Sequence, residues 1–221
     1  MNSTKESAIS IALLDKHGVL CDGLECLFQA VEGVSVVGNV TTPEDLTACL
    51  DFVKVDIVVM DLIFSGHDAL RCIEDWSKAH PQTKFLVLSQ LPEGIYAQRV
   101  LNAGGSGYLM KDVRSGVLID GVRRVAAGEV VVSPLMANVL LTNLSKGTAK
   151  DETNYFDRLT ARELHVLTLV GQGHATAAIA EEMGISKKTV STFKERIKSK
   201  LSLASSMQLA QVAIQHFGRA V

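Results

Sequence analysis

The sequence predicts a chain of two parts, a doubly wound α/β sandwich of the (βα)5 kind followed by an all-α unit of four helices. Short apolar, β-branched runs alternate with helix-length segments up to about residue 127, the alternation stops after Gly128, and the charge changes sign between the parts. The runs 8–14, 34–40, 56–60, 84–89 and 107–111 have strand length, and four of them hold almost no polar residue. Such strands are covered on both faces and belong in a parallel sheet. Helical patterns fill the intervals near 18–31, 43–51, 68–80, 93–103 and 113–127. Pro43 and Pro92 suit first helical turns, and Gly104, Gly105 and Gly107 break the fourth helix from the fifth strand.

Residues 134–144 read as one short amphipathic helix, and the polar stretch SKGTAKDETN after it reads as a linker. The expected organisation is therefore a first domain over 1–128, a linker with a short helix over 129–154 and a second domain over 155–221. In the last of these, Thr160 and Glu163 have capping-box spacing at the start of a helix to about Val170. A short helix over 174–183 ends at Gly184, Ser186 caps a third over 187–201, and Ser205 caps a fourth to His216.

Of 221 residues 47% are hydrophobic and 21% charged, with only 4 Pro and 17 Gly, which excludes collagen-like, mucin-like and disordered classes. No apolar run approaches the roughly 20 residues of a membrane helix, and MNSTKESAIS lacks a secretory pattern, so a cytoplasmic protein without membrane contact is expected. Cys21, Cys26, Cys49 and Cys72 have no metal-ligand spacing and read as reduced core thiols.

The net charge of −2 divides into −5 for residues 1–149 and +3 for the remainder, with six bases against one acid over 186–200. A helix, a turn at Gly184-Ile185-Ser186 and a basic helix is a helix-turn-helix layout. On the basic helix Val190, Phe193, Ile197 and Leu201 share the core face. Lys188, Thr192, Glu195 and Ser199 lie opposite, with Lys187, Ser191 and Lys198 on one flank and Arg196 on the other. Short polar groups reach base edges while cations neutralise phosphates. Glu195 either accepts a hydrogen bond from a base or pairs with a neighbouring Lys.

The segment LTARELHVLTLVGQGHATAAIAEEMGISKKTVSTFKERIKSKL resembles the LuxR-type (GerE-like) helix-turn-helix. The resemblance implies base-facing Ser191, Thr192 and Glu195, with Lys188, Thr189, Lys194 and Lys198 toward the backbone of double-stranded DNA. It also implies a fourth helix at a dimer surface, where Leu209, Val212 and Ala213 fit either that role or internal packing.

Chemistry in a doubly wound sheet gathers at the carboxyl ends of its strands. Asp15, Asp61, Ser89 and Lys111 stand there, a set suited to acyl-phosphate chemistry: an ionised nucleophile beside a hydroxyl and a cation. With VDIVVMDLIFSGHDAL, VLS and GGSGYLMK in order, residues 8–127 resemble the flavodoxin-like response-regulator receiver domain, and the whole chain resembles the NarL/FixJ architecture. That resemblance implies a phospho-acceptor Asp61, an acidic-pocket Asp15, switch residues Ser89 and Tyr108, and a phosphate-binding Lys111.

One departure stands out. Receivers usually carry two adjacent acids after the first strand, whereas LLDKHG offers Asp15 followed by Lys16. Mg²⁺, to be held by Asp15, Asp61 and the Ile63 backbone carbonyl, is a cofactor candidate weakened by Lys16. Either Lys16 points to solvent and the two acids still hold the ion, or its ammonium pairs with Asp61 and takes the metal's place. Phe64-Ser65 replaces the usual Met-Pro, and His17 and His67 read as surface residues at helix starts.

The expected function is transcriptional regulation by a DNA-binding homodimer, not an enzyme, whose receiver acts independently of phosphorylation. The competing reading is a switch phosphorylated at Asp61 by a sensor kinase. A phosphatase lacks its second acid, since Ile63 stands in that place, and an adaptor with a protein-binding second domain is the other alternative.

Overall fold

The computed structural model describes residues 8–64, 67–146, 156 and 158–218. Chain contacts divide it into two compact units, Met1–Thr142 and Asn143–Val221. The linker residues 147–154, Ser65 and Arg219 lie outside the described residues.

The first unit follows β1 (Ile9–Leu14), α1 (Gly18–Gln29), β2 (Val34–Val40), α2 (Pro43–Phe52), β3 (Ile57–Met60), α3 (Ala69–Ala79), β4 (Lys84–Ser89), α4 (Glu93–Asn102), β5 (Gly107–Met110), α5 (Ser115–Ala126) and α6 (Pro134–Lys146). All pairings are parallel, in the order β2-β1-β3-β4-β5. This is the doubly wound (βα)5 sandwich that the apolar runs predict. β3 is buried throughout, whereas β2, with Ser35 and Asn39 inside it, alternates half-buried and exposed residues at one edge.

Ile11, Leu13, Ile57, Val59 and Leu86 pack with Phe28 of α1 and Val122 of α5, while the intervening Ala12, Leu14, Val58 and Met60 are buried as well. Apolar burial of this extent is the main stabilising term of the unit. Pro43 is in the first turn of α2, whose Thr42 cap accepts from the Asp45 amide. Pro92 falls one position earlier than expected, as the N-cap of α4. The cysteines are free, but only Cys21 is buried; Cys49 and Cys72 are half-buried and Cys26 is exposed. Cys26 lies on an outward position of α1, so the expectation of four core thiols is corrected there.

Beyond α5 the chain adds a bridge: Tyr108 N donates to Val131 O at 2.7 Å and Val131 N to Ser106 O at 3.1 Å. A Cβ on Gly107 would sit 2.5 Å from Val131 O, so this approach requires glycine.

The second unit contains α7 (Ala161–Gly171), α8 (Thr176–Glu182), α9 (Lys187–Lys200) and α10 (Ser206–Phe217). The Thr160/Glu163 capping box is formed, and Ser186 and Ser205 cap α9 and α10. Leu164, Leu167, Ile179, Val190, Ile197, Leu209 and Ala213 form its core. Leu209 and Ala213 are thus buried internally, Val212 is half-buried, and Met207 and Ile214 are the exposed apolar residues of α10.

Candidate receiver pocket and DNA-facing helix

Parallel register brings the strand ends level: Leu14 pairs with Met60, Met60 with Val87, and Ser89 with Met110. The residues at or just after these ends, Asp15, Asp61, Ser89 and Lys111, therefore converge. Asp15, Asp61 and Ser89 are buried. Lys111 Nζ donates to Asp61 Oδ2 at 2.8 Å and also to Asp15 Oδ2. Ser89 Oγ donates to Asp61 Oδ1 at 2.5 Å, and the Leu62 amide donates to the same oxygen at 2.7 Å. On the far side, the His17 amide donates to Asp15 Oδ1 at 2.9 Å and His17 Nδ1 lies 2.8 Å from it.

Burial alone would lower the Lys111 pKa, but the Asp61 and Asp15 carboxylates outweigh it and hold the ammonium above its ordinary value. Tyr108 is fully buried and its hydroxyl donates to Leu91 O at 2.7 Å; burial pushes its pKa up.

Lys16 is exposed, and the cation on Asp61 is Lys111. The reading in which Lys16 pairs with Asp61 is overturned: the side chain at position 16 points outward, while Lys111 reaches both acids from the end of β5. His17 is the expected surface residue at the start of α1. Its ring is exposed but engages Asp15, a contact signalled by the Asp-x-His spacing after β1. His67, as expected, is an exposed residue before α3 and pairs with Glu44 at 2.8 Å.

Two carboxylates, both engaged by the Lys111 ammonium, are a sparse donor set for Mg²⁺. All four oxygens of Asp15 and Asp61 have hydrogen-bond partners, two of them supplied by the Lys111 ammonium. The cleft between the acids is lined by Leu13, Leu14, Cys21, Val59 and Leu88, which offer no further hard oxygen donor from their side chains. Ile63 is half-buried in the loop after β3. Among the described residues no group of three His, Cys, Asp or Glu is placed to hold a metal.

On α9, Val190 and Ile197 face the core and Lys187, Lys188, Ser191, Thr192, Glu195, Arg196 and Ser199 are exposed, as the helical spacing predicts. Thr189 is half-buried, its amide donating to the Ser186 cap at 3.1 Å. Ser191 and Thr192 hydroxyls donate to the Lys187 and Lys188 carbonyls. Three cations are held within the unit. Lys194 Nζ donates to Thr176 Oγ1 of α8 at 2.8 Å, and burial lowers its pKa. Lys198 pairs with Glu195 at 2.9 Å and Lys200 with buried Glu163 at 2.6 Å. Glu195 thus takes the pairing alternative in the free protein.

A five-stranded sheet with these groups at its strand ends, followed by a helical unit presenting a basic helix, defines a receiver joined to a helix-turn-helix. Residues 11–123 match the family model of the response regulator receiver domain, and residues 157–213 match that of bacterial regulatory proteins of the luxR family. The chain belongs to the response-regulator receiver family, in the NarL/FixJ branch with a LuxR-type helix-turn-helix. It is similar to the response regulator GacA of Pseudomonas aeruginosa, 28% identical with 94% of this chain and 96% of that protein covered. The response regulator UvrY of Escherichia coli is 26% identical over 94% of both chains. In structure it is similar to RcsB of Salmonella enterica serovar Typhimurium bound to promoter rprA with the phosphomimetic BeF3-. That match has a TM-score of 0.57 and 21% identity, covering 94% of this chain and 98% of that one, and supports the fold alone. These relatives are regulators. Among the described residues no helix is long and apolar enough to cross a membrane.

Proposed function

We propose that this response regulator is a cytoplasmic homodimer that binds double-stranded DNA through α9, and that its receiver is set without Mg²⁺-dependent phosphorylation. One observation carries the second part: Lys111 bridges Asp15 and Asp61 while an exposed Lys16 stands where another acid is usual. An ion entering the pocket would have to displace an ammonium bonded to both acids, with only two carboxylates to receive it. Without the ion, the charge developing on a transferring phosphoryl group is poorly neutralised.

DNA binding is supported by the exposed Lys187, Lys188 and Arg196 around Ser191 and Thr192. It is also supported by the DNA-bound state of RcsB. That protein also forms dimers on DNA, which favours the homodimer for this chain. A sensor kinase partner belongs to the competing reading, for which the directly bonded Asp61 and Ser89 are the supporting observation.

Intact-mass spectrometry after incubation with acetyl phosphate and Mg²⁺ separates the two. The expected result is no phosphoryl adduct on the wild type or Asp61→Asn and an adduct on Lys16→Asp. A stable adduct on the wild type, absent from Asp61→Asn, overturns the proposal.

A further inference from the structure

The pocket is joined to residues 131–133, just before α6, by a hydrogen-bonded route to Val131 and by the backbone Leu91-Pro92-Glu93, which ends in a hydrogen bond to Ser133. Both start at the loop between β4 and α4. Ser89 Oγ, which donates to Asp61, also accepts from the Leu91 amide at 3.4 Å. Leu91 O accepts from the Tyr108 hydroxyl, and the Tyr108 amide donates to Val131 O. That is the first route.

The second passes through Glu93. This residue opens α4, where a carboxylate ordinarily complements its own helix terminus. Here Glu93 Oε1 instead accepts from the Ser133 amide at 2.7 Å. Ser133 caps α6: its hydroxyl accepts from the Met136 amide at 3.1 Å and its carbonyl from the Ala137 amide at 2.9 Å. Glu93 and Ser133 are both half-buried, which strengthens a charge-assisted bond. Ser89, Leu91, Tyr108 and Val131 are buried, so their polar groups have little water to turn to if a partner moves.

We propose that Glu93 is a positioning residue, a latch through which the hydrogen-bonding state of Asp61 and Ser89 fixes the start of α6. α6 starts in the first unit and runs past its boundary at Thr142, so the latch gives the pocket a path to the α6 end of the receiver. The inference rests on the pocket being regulatory, and is indifferent to whether Asp61 is phosphorylated. A network of this kind couples its ends only if loosening one loosens the other.

Amide hydrogen exchange on the full chain, read by mass spectrometry, tests this. In Glu93→Ala the peptide covering 131–141 is expected to exchange at least about threefold faster, with β1 and β3 unchanged. Ser89→Ala, which touches neither Glu93 nor Ser133, is expected to accelerate the same peptide. Glu93→Gln keeps an oxygen acceptor for the Ser133 amide and retains most of the protection. Unchanged exchange over 131–141 in Ser89→Ala overturns the coupling, and unchanged exchange in Glu93→Ala overturns the latch. If Glu93→Ala exposes β3 as well, Ser89→Ala and Glu93→Gln decide: fast in the first with protection in the second supports the latch, and any other pattern overturns it. DNA affinity in the same samples is a separate readout: a wild type without it removes the regulator reading and leaves the exchange result standing.

Discussion

Lys200 Nζ, at the end of α9, donates to Glu163 Oε2 at 2.6 Å, and Glu163 also accepts from the Thr160 amide that opens α7. The last cation of the basic helix therefore serves the fold of its own unit. Lys200→Ala leaves a carboxylate only 3% exposed without its cation, and is expected to cost about 2 kcal/mol in a denaturant titration. Lys188→Ala, at an exposed position, is expected to leave stability unchanged within about 0.5 kcal/mol.

The division of cations on α9 has a counterpart in salt dependence. Lys187→Ala, Lys188→Ala and Arg196→Ala are each expected to lower the slope of log affinity against log salt by about 1, on any duplex. Lys200→Gln is expected to leave that slope unchanged. Filter-binding or anisotropy titrations between low and moderate salt measure both.

Glu195 is paired with Lys198 at 2.9 Å and is exposed. Removing the carboxylate frees a cation, so Glu195→Ala is expected to tighten binding to all duplexes by a similar factor. A change in sequence preference instead would assign Glu195 to base reading. Thr192→Ala is expected to change preference, measured by selection from a random duplex pool.

The pocket predicts a loss of stability at high pH. Folded Lys111 titrates above its ordinary 10.5, so its contribution is complete below pH 10.5 and disappears as pH rises through the folded value. Buried Tyr108 acts in the same direction, because its unfolded phenol ionises near pH 10 and its folded one higher. Urea melts from pH 8 to 11.5 are expected to show a steeper decline for the wild type than for Lys111→Met, and an intermediate one for Tyr108→Phe.

At the contact between α7 and α10, a Cβ on Gly171 would overlap Ala213 O. The overlapped atom is backbone, so it cannot yield by a rotamer change. Gly171→Ala is expected to destabilise the second unit by about 1–3 kcal/mol, seen as a lower-temperature transition in calorimetry.

The strands were legible because burial on both faces leaves a run such as Ile57–Met60 without a polar residue. The capping box was legible because Thr160 and Glu163 satisfy each other's neighbourhood locally. Asp15, Asp61, Ser89 and Lys111 could be placed at one end of the sheet by chain order alone. What each bonds could not be read, since Lys16 and Lys111 are equally plausible cations in a string and only the sheet register shows which one reaches Asp61. Lys200 is one of the six bases over 186–200, and nothing local marks it as the partner of Glu163, 37 residues away. The Glu93 contact to Ser133 spans 40 residues and leaves no periodic or local trace.

Val131 has a further consequence for the sheet itself. Strand order puts β5 at one margin, where unpaired amides and carbonyls would invite another chain to add a strand. The bonds of Tyr108 to Val131 and of Val131 to Ser106 cap part of that margin with the chain's own continuation. A fragment cut at residue 128 would lose this cover and carry a sticky seam, whereas one cut after residue 142 would keep it.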